Sequence, residues 1–447
     1  MQDTKAKRVE PRLPRGMRDI LPQKMIQREY VIATIRRAFE EFGFEPLQTP
    51  ALELRETLMG KYGPDAEKLI YEAGHVGGKE QLALRYDLSV PLARVVAQYP
   101  DLVKPLKRYQ IAPVWRAERP QKGRYREFYQ CDADCVGPAS MLADAEILSL
   151  TYEVLSRLGF RQFTILLNDR KLLNGIGRYA GVDDEQRAGL YRSIDKLDKV
   201  GLPGVEEELR KNAIPDGAIQ RMLELLQVQG DNRAILARLR VVLAGSPDAL
   251  EGLSELEEIV GYLEALGIPE RFARVSPAMV RGLEYYTGPV FETVVEEPKI
   301  GSITGGGRYD KMIGMFTGRS LPATGTTIGI ERIIDVMEEL GMFPPGVGKT
   351  VTQVLVTRFN PDLVVDSLKA AAALRAAGLN AELYFEDESL ARQVRYADRR
   401  GIPYVAILGP DEVAAGRITL RDLAGGRQVT VARDAAPAQL ETWRHEA

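Results

Sequence analysis

Apolar positions recur at helical spacing from Lys24 to Phe42: Met25, Ile32, Ile35, Ala38, Phe39 and Phe42 share one face, which predicts a helix stopped at Gly43. The following FEPLQTPALE reads as one extended segment with Pro50 inside it. Residues 80–86 (EQLALRY) alternate like a strand, and residues 87–98 read as a helix with Asp87 as its N-cap. Within residues 105–136 two strand-like runs, KRYQIAPVWRAE and REFYQCDADCVG, flank the turn ERPQKGR, which predicts a long antiparallel hairpin with a charged tip. Residues 141–158 form a further amphipathic helix.

From Lys171 to Gly267 the texture changes to charged helical patterns broken by Gly201, Pro203, Pro215, Gly230 and Pro247, as expected of an inserted helical module. Strand-and-turn texture returns at Val275–Val295 and Gly301–Tyr309, then a strand and helix span Gly325–Leu340. After the linker MFPPGVGKT, strands near 351–358, 380–385 and 403–408 alternate with helices near 361–377 and 388–400. Short strands near 417–421 and 428–432 complete a compact α/β domain with a mixed sheet. The expected boundaries are 1–170 and 271–345 for a divided core, 171–270 for the insertion and 350–447 for the last domain.

Composition narrows the chemistry. The 447 residues carry 60 Lys+Arg against 63 Asp+Glu, a net charge of −3, so any nucleic-acid partner would be held by local basic patches. No apolar run approaches the roughly 20 residues that span a bilayer. The polar N-terminus lacks an apolar signal region, and the expected location is the cytoplasm. Cys131 and Cys135 are too few for a disulfide scaffold and make at most half a zinc site. With His75 and His445 as the only histidines, a His-rich metal site is excluded and a His general base nearly so. Chemistry must rest on arginines, carboxylates, backbone groups or a loosely held ion.

Several motifs invite a functional reading, each beside a plainer one. Gly348-Lys349-Thr350 resembles the end of a phosphate loop, but position 343 is Phe and a strand follows, so it is a linker. Arg116, Arg119, Lys122, Arg124 and Arg126 crowd the hairpin tip. A solvated turn would suffice, but Arg116 and Arg126 sit on the strand shoulders, aimed at a face, and guanidinium suits phosphate. RGLEYYTGPVFE offers two adjacent tyrosines, as packing or as a hydroxyl-bearing pocket wall. GSITGGGRYD has three successive glycines, for a turn or for close backbone approach to a ligand. GTTIGIERIIDVM, with Glu331 and Arg332, and the polar residues Asp87, Gln130 and Asp134 are each weak alone.

Taken in order, the helix and FEPLQTPALE, VWRAERPQKGRYREFYQCDAD, RGLEYYTG, GGGRYD and GIERI resemble the class II aminoacyl-tRNA synthetases and, among them, the histidyl-tRNA synthetases, over nearly the whole chain. The resemblance implies an α+β fold: an antiparallel catalytic sheet with helices, a helical insertion, and a C-terminal anticodon-binding domain. It implies ATP and Mg²⁺, L-histidine and tRNA(His) as partners, and a homodimer through the first helix and FEPLQTPALE.

Carried over residue by residue, the resemblance places Arg116, Glu118, Arg124, Phe128 and Arg332 on ATP, with no protein metal site. Asp87, Ser89 and Gln130 would meet the histidine amino group, Asp134 and Tyr286 its imidazole, and Tyr285 and Tyr309 the pocket wall. Arg281, with Arg116, would be catalytic at the α-phosphate and substrate carboxylate, and Arg119 and Gln121 would meet the tRNA acceptor end. Asp87 and Asp134 stand where many bacterial relatives have Glu, and Glu284 where they have Asp. The rival is a non-catalytic histidine-sensing paralogue that partners ATP phosphoribosyltransferase. Such proteins usually lack the last domain and lose the arginines, which are present here.

Overall fold

The computed structural model describes residues 10–62, 67–121, 123–182, 189–191, 193–194, 197–280 and 285–446. The chain divides into two compact units, Met1–Asp19 with Val31–Met342, and Ile20–Tyr30 with Phe343–Ala447.

The larger unit is built on the predicted hairpin. Of its early strands, β1 (Glu45–Pro46) is followed by β2 (Leu52–Leu54), β3 (Glu72–Ala73) and β4 (Leu82–Leu84). The hairpin strands β5 (Leu106–Trp115) and β6 (Glu127–Val136) pair over ten residues, from Leu106 opposite Val136 to Trp115 opposite Glu127. The sheet continues through β7 (Phe163–Asp169), β8 (Ala273–Val275), β9 (Pro289–Val295), β10 (Thr304–Arg308) and β11 (Ala323–Ile328), in the order β1-β5-β6-β11-β10-β9-β7-β8. Every pair from β5 to β7 is antiparallel, and only the edge pairs β1/β5 and β7/β8 are parallel.

FEPLQTPALE is not one strand. β1 joins the large sheet, whereas β2 pairs with β4 in a separate three-stranded sheet. The break falls at Pro50, which has no N–H for a ladder. GGGRYD is likewise not a turn: its glycines lie in β10, in register with β9 and β11 on both sides. An added Cβ on Gly306 would lie 2.1 Å from the Gly325 carbonyl oxygen and 2.4 Å from the Phe291 ring, so glycine permits this packing.

The helical texture after Lys171 forms the parallel crossover from β7 to β8, with helices Arg170–Ala180, Leu197–Lys211, Asp216–Leu226, Asn232–Val242 and Pro247–Ala265. Asp169 caps the first of these, accepting from the Lys171 N–H at 2.7 Å. Gly175 and Gly252 let helix Pro247–Ala265 lie close on it: added Cβ atoms would meet Ala249 at 2.4 Å and Asp169 at 2.7 Å.

The smaller unit carries β12 (Val354–Val356), β13 (Ala381–Leu383), β14 (Tyr404–Ile407), β15 (Arg417–Asp422) and β16 (Gln428–Ala432) in the order β13-β12-β14-β15-β16. The first three are parallel and the last two antiparallel, the mixed sheet expected. Helices Pro410–Ala414 and Ala436–Glu446 were not anticipated; the latter buries Ala436, Leu440 and Trp443 at helical spacing.

Arg308 is buried behind the large sheet, paired with Asp144 and donating to the carbonyls of Pro138 (3.0 Å) and Ser140 (3.1 Å). Arg308→Ala leaves Asp144 buried without its cation and should cost about 3–5 kcal/mol of the larger unit's stability in urea unfolding. A loss below about 1 kcal/mol would contradict the role given to this pair.

Candidate functional site

A cavity of 1090 Å³ lies over one face of the large sheet. Alternation along β6 puts Phe128, Gln130, Asp132 and Asp134 on that face. At about 3.4 Å per residue, the row runs about 20 Å from the hairpin tip into the sheet. The cavity therefore has two chemically different ends.

The tip end is cationic and aromatic. The Arg116 Nε donates to the Tyr86 carbonyl at 3.1 Å, and its guanidinium lies over the Tyr86 and Phe128 rings at 4.3 and 5.1 Å. Arg124 pairs with Glu118 at 3.6 Å. Arg332 comes from helix Ile330–Glu339 and donates to the Ser302 carbonyl at 2.5 Å. Gly123, at φ 71°, brings the hairpin tip within contact of it, since an added Cβ would lie 3.4 Å from the Arg332 Cγ. Glu331 beside it binds Arg18 and accepts the Tyr129 N–H at 3.2 Å, fastening this helix to β6.

The inner end is acidic and lined by phenols. Asp87 is buried; its Oδ1 accepts from Tyr62 (2.9 Å) and from the Val90 N–H (3.0 Å). The N-cap of helix Ser89–Gln98 is Leu88 rather than the expected Asp87, which stands one residue earlier and reaches a first-turn N–H from there. Its Oδ2 is buried without a hydrogen-bond partner, as is the Gln130 Oε1. Asp134 accepts from the Tyr309 hydroxyl at Oδ1, and its Oδ2 faces the buried Arg108 guanidinium at 2.7 Å. Arg108 stands directly across the ladder on β5. Gly325, opposite Asp134 on β11, leaves room for the carboxylate: an added Cβ would lie 2.1 Å from its Oδ1. Tyr285 packs on Tyr286 and Tyr309, with ring centroids 4.8 and 6.1 Å away.

Burial sets the protonation states. It raises the pKa of Asp87 against the opposing Val90 N–H and Arg116 charge, and that of Asp134 against Arg108 and Tyr309. Asp132 is pushed up to about 7, by burial first and then by the Asp134 charge. Burial likewise raises Tyr285, Tyr286 and Tyr309, which remain hydroxyl donors at neutral pH.

Of the residues the sequence singled out, Asp87, Ser89, Arg116, Glu118, Arg124, Phe128, Gln130, Asp134, Tyr285, Tyr286, Tyr309 and Arg332 line this one cavity. Arg119 and Gln121 are exposed on the hairpin outside it. Arg281, Glu284 and Lys122 lie outside the described residues. Arg126 turns away from the cavity face: its Nε donates to the Glu118 carbonyl at 3.0 Å and its Nη1 to the Arg15 carbonyl at 3.3 Å. The sequence reading missed Asp132, although Gln130 and Asp134 two positions either side signal its face. It also missed Arg108, Tyr62 and Thr327, which enter through long-range pairing. Among the described residues no group of three or more His, Cys, Asp or Glu side chains is arranged to hold a metal ion.

An antiparallel sheet bearing an arginine hairpin, with a glycine-rich strand leading into an arginine-bearing helix, is the architecture of a class II aminoacyl-tRNA synthetase. The histidyl-tRNA synthetase profile matches residues 16–333, and an anticodon binding domain profile matches residues 353–443. A histidine–tRNA ligase of Aeropyrum pernix is 45% identical over 423 residues, covering 94% of this chain and 95% of that one. One of Gloeobacter violaceus is 43% identical over 444 residues, covering 92% and 94%. The crystal structure of histidyl-tRNA synthetase from Nostoc sp. PCC 7120 superposes with a TM-score of 0.87 at 33% identity, over 97% of this chain and all of that one. The chain belongs to the histidyl-tRNA synthetase family.

The raised pKa of Asp132 has a measurable consequence. The unfolded side chain titrates near 3.9, so the folded state binds the extra proton between there and about 7. The stability tied to that proton is full below the unfolded value and is lost as pH rises through about 7. Asp132→Asn, which cannot ionise, should therefore gain stability relative to the wild type on going from pH 5 to pH 8, read from urea midpoints. A difference that is flat or runs the other way would contradict the assigned protonation.

Proposed function

We propose that this chain activates L-histidine with ATP, giving histidyl-adenylate and pyrophosphate, and then transfers the histidyl group to the 3′ end of tRNA(His). The observation that carries the reading is the two-ended cavity: buried acceptors and phenols at one end, arginines at the other. An amino acid with a cationic amino group and ring N–H donors suits the first end, and a triphosphate the second.

In this reading the histidine ammonium sits against Asp87, Ser89 and Gln130, where the Asp87 Oδ2 and Gln130 Oε1 are buried acceptors lacking partners. The imidazole lies at the end formed by Asp134 and Tyr286, with Tyr285 and Tyr309 as walls. A substrate without the matching donors would leave these groups unpaired, a discrimination worth about 10⁴–10⁵-fold. That makes an editing site unnecessary, and residues 171–270 are assigned to clamping the acceptor stem.

Adenine stacks on Phe128, Glu118 and Arg124 hold the nucleotide, and Arg332 meets the γ-phosphate side. Mg²⁺ enters with ATP as part of the substrate, needing few protein ligands of its own. The substrate carboxylate oxygen attacks the α-phosphorus, and the bond to the bridging oxygen of pyrophosphate breaks. A carboxylate is ionised at neutral pH, so no general base is needed. Catalysis is positioning and charge stabilisation by Arg116 and Arg281, consistent with a chain that has two histidines.

Arg119 and Gln121 meet the acceptor end, and residues 350–447 read the anticodon. The core is assigned to residues 1–170 and 271–345. A cytoplasmic homodimer, joined through the first helix and FEPLQTPALE, completes the proposal. No helix among the described residues is long and apolar enough to cross a membrane.

The test is charging: the purified chain should esterify tRNA(His) with histidine, and failure to form histidyl-tRNA would remove the reading. Arg281→Ala should lower the rate of adenylate formation by about 10²–10³-fold, as loss of a transition-state donor does. Histidine affinity should change less than about threefold, the mark of a contact made mainly in the transition state. Normal turnover in that variant would refute the catalytic role of Arg281.

A further inference from the structure

The Asp87 carboxylate uses its two oxygens unequally. Oδ1 accepts from the Tyr62 hydroxyl at 2.9 Å and from the Val90 N–H at 3.0 Å, whereas Oδ2 is buried without a hydrogen-bond partner. The outer torsion of an Asp side chain is broad and nearly two-fold, so the Val90 N–H alone could hold either oxygen in several orientations. A second donor from a separate segment removes that freedom. Tyr62 is built to supply it. It is buried, it lies 25 positions before Asp87 beyond the short helix Arg55–Leu58, and its ring packs on Tyr86 with centroids 4.9 Å apart. Tyr86 directly precedes Asp87 and carries the Arg116 guanidinium over its ring at 4.3 Å.

The electrostatics agree with the geometry. Burial raises the pKa of Asp87, and the Val90 N–H, the Arg116 charge, the Tyr62 hydroxyl and the Ser89 N–H oppose it. Burial also holds the Tyr62 phenol well above its ordinary value, so it stays a neutral donor. Such a donor on Oδ1 favours the ionised carboxylate without cancelling its charge, which remains available to a cation at Oδ2.

We propose that Tyr62 is a positioning residue for substrate binding, its hydroxyl fixing the Asp87 Oδ1 so that Oδ2 stays turned to the ammonium group of the bound amino acid. This rests on the function proposed above and deepens its account of how the amino group is recognised. An Asp side chain is short and cannot swing to follow a ligand, so the direction in which it is held decides the contact.

The experiment measures binding of L-histidine, of imidazolepropionate (histidine without its amino group) and of ATP by calorimetry, for wild type and Tyr62→Phe in the full chain. The substitution deletes one oxygen and keeps the ring that packs on Tyr86. Tyr62→Phe should weaken histidine by roughly 5–50-fold, as expected when a buried carboxylate loses one of its donors. Imidazolepropionate has no ammonium to meet Asp87, so its affinity should stay within about twofold, and that of ATP likewise. A tyrosine with a merely structural role would weaken the amino acid and its analogue together. The proposal is overturned if Tyr62→Phe binds histidine within about twofold of wild type. It is equally overturned if imidazolepropionate or ATP weakens by as large a factor as histidine, which is also how a misfolded variant would read. The readout is binding, so wild type that binds histidine but forms no histidyl-tRNA would sink the proposed function and leave this comparison intact.

Discussion

The contact on which the site depends is the buried ion pair of Arg108 and Asp134, side by side on the hairpin strands. The cavity face of β6 presents two carboxylates two residues apart, with Asp87 also at the same end. Negative charges packed in a low dielectric repel one another and resist ionisation. One guanidinium, exposed only 1%, makes the arrangement tolerable by compensating one of them. Breaking such a pair leaves an uncompensated buried charge, a far larger cost than losing a surface bridge. The pocket is left short of positive charge, and a cationic amino acid is the natural complement.

The rest of the fold serves that arrangement and its counterpart at the other end. Gly325 gives the Asp134 carboxylate its space, and Gly306 lets β10 lie close to β11 beside it. Tyr309 follows Arg308 directly, so the buried Arg308–Asp144 pair anchors the chain that delivers the Tyr309 hydroxyl to Asp134. At the tip end, Arg18–Glu331–Tyr129 joins the Arg332 helix to β6, and Gly123 closes the hairpin onto Arg332. Two arginines far apart in sequence, Arg116 and Arg332, thereby line one cavity with the acidic end in reach.

Much of this was legible before the structure. Alternation marked both hairpin strands, and the 3.6-residue period marked the helices Pro22–Glu41 and Leu142–Arg157. Motif order brought together residues from four separate stretches that do share the cavity. What escaped was nonlocal. That Arg108 faces Asp134 follows only from hairpin register, and that Tyr62 donates to Asp87 follows only from packing across 25 positions. Asp132 was readable from its place between Gln130 and Asp134, but an isolated Asp is by default an exposed or capping residue, and its partners identify it. The division of FEPLQTPALE between two sheets was hidden because a proline permits extended backbone while removing the donor that would continue the ladder.

The central claim is that an acidic, tyrosine-walled pocket selects histidine for attack on ATP. ATP–pyrophosphate exchange with the twenty amino acids offered one at a time tests it most directly. The account predicts exchange that saturates with histidine and stays at background with each of the others. Background exchange with histidine, or comparable exchange with an amino acid whose side chain carries no N–H donor, would contradict it.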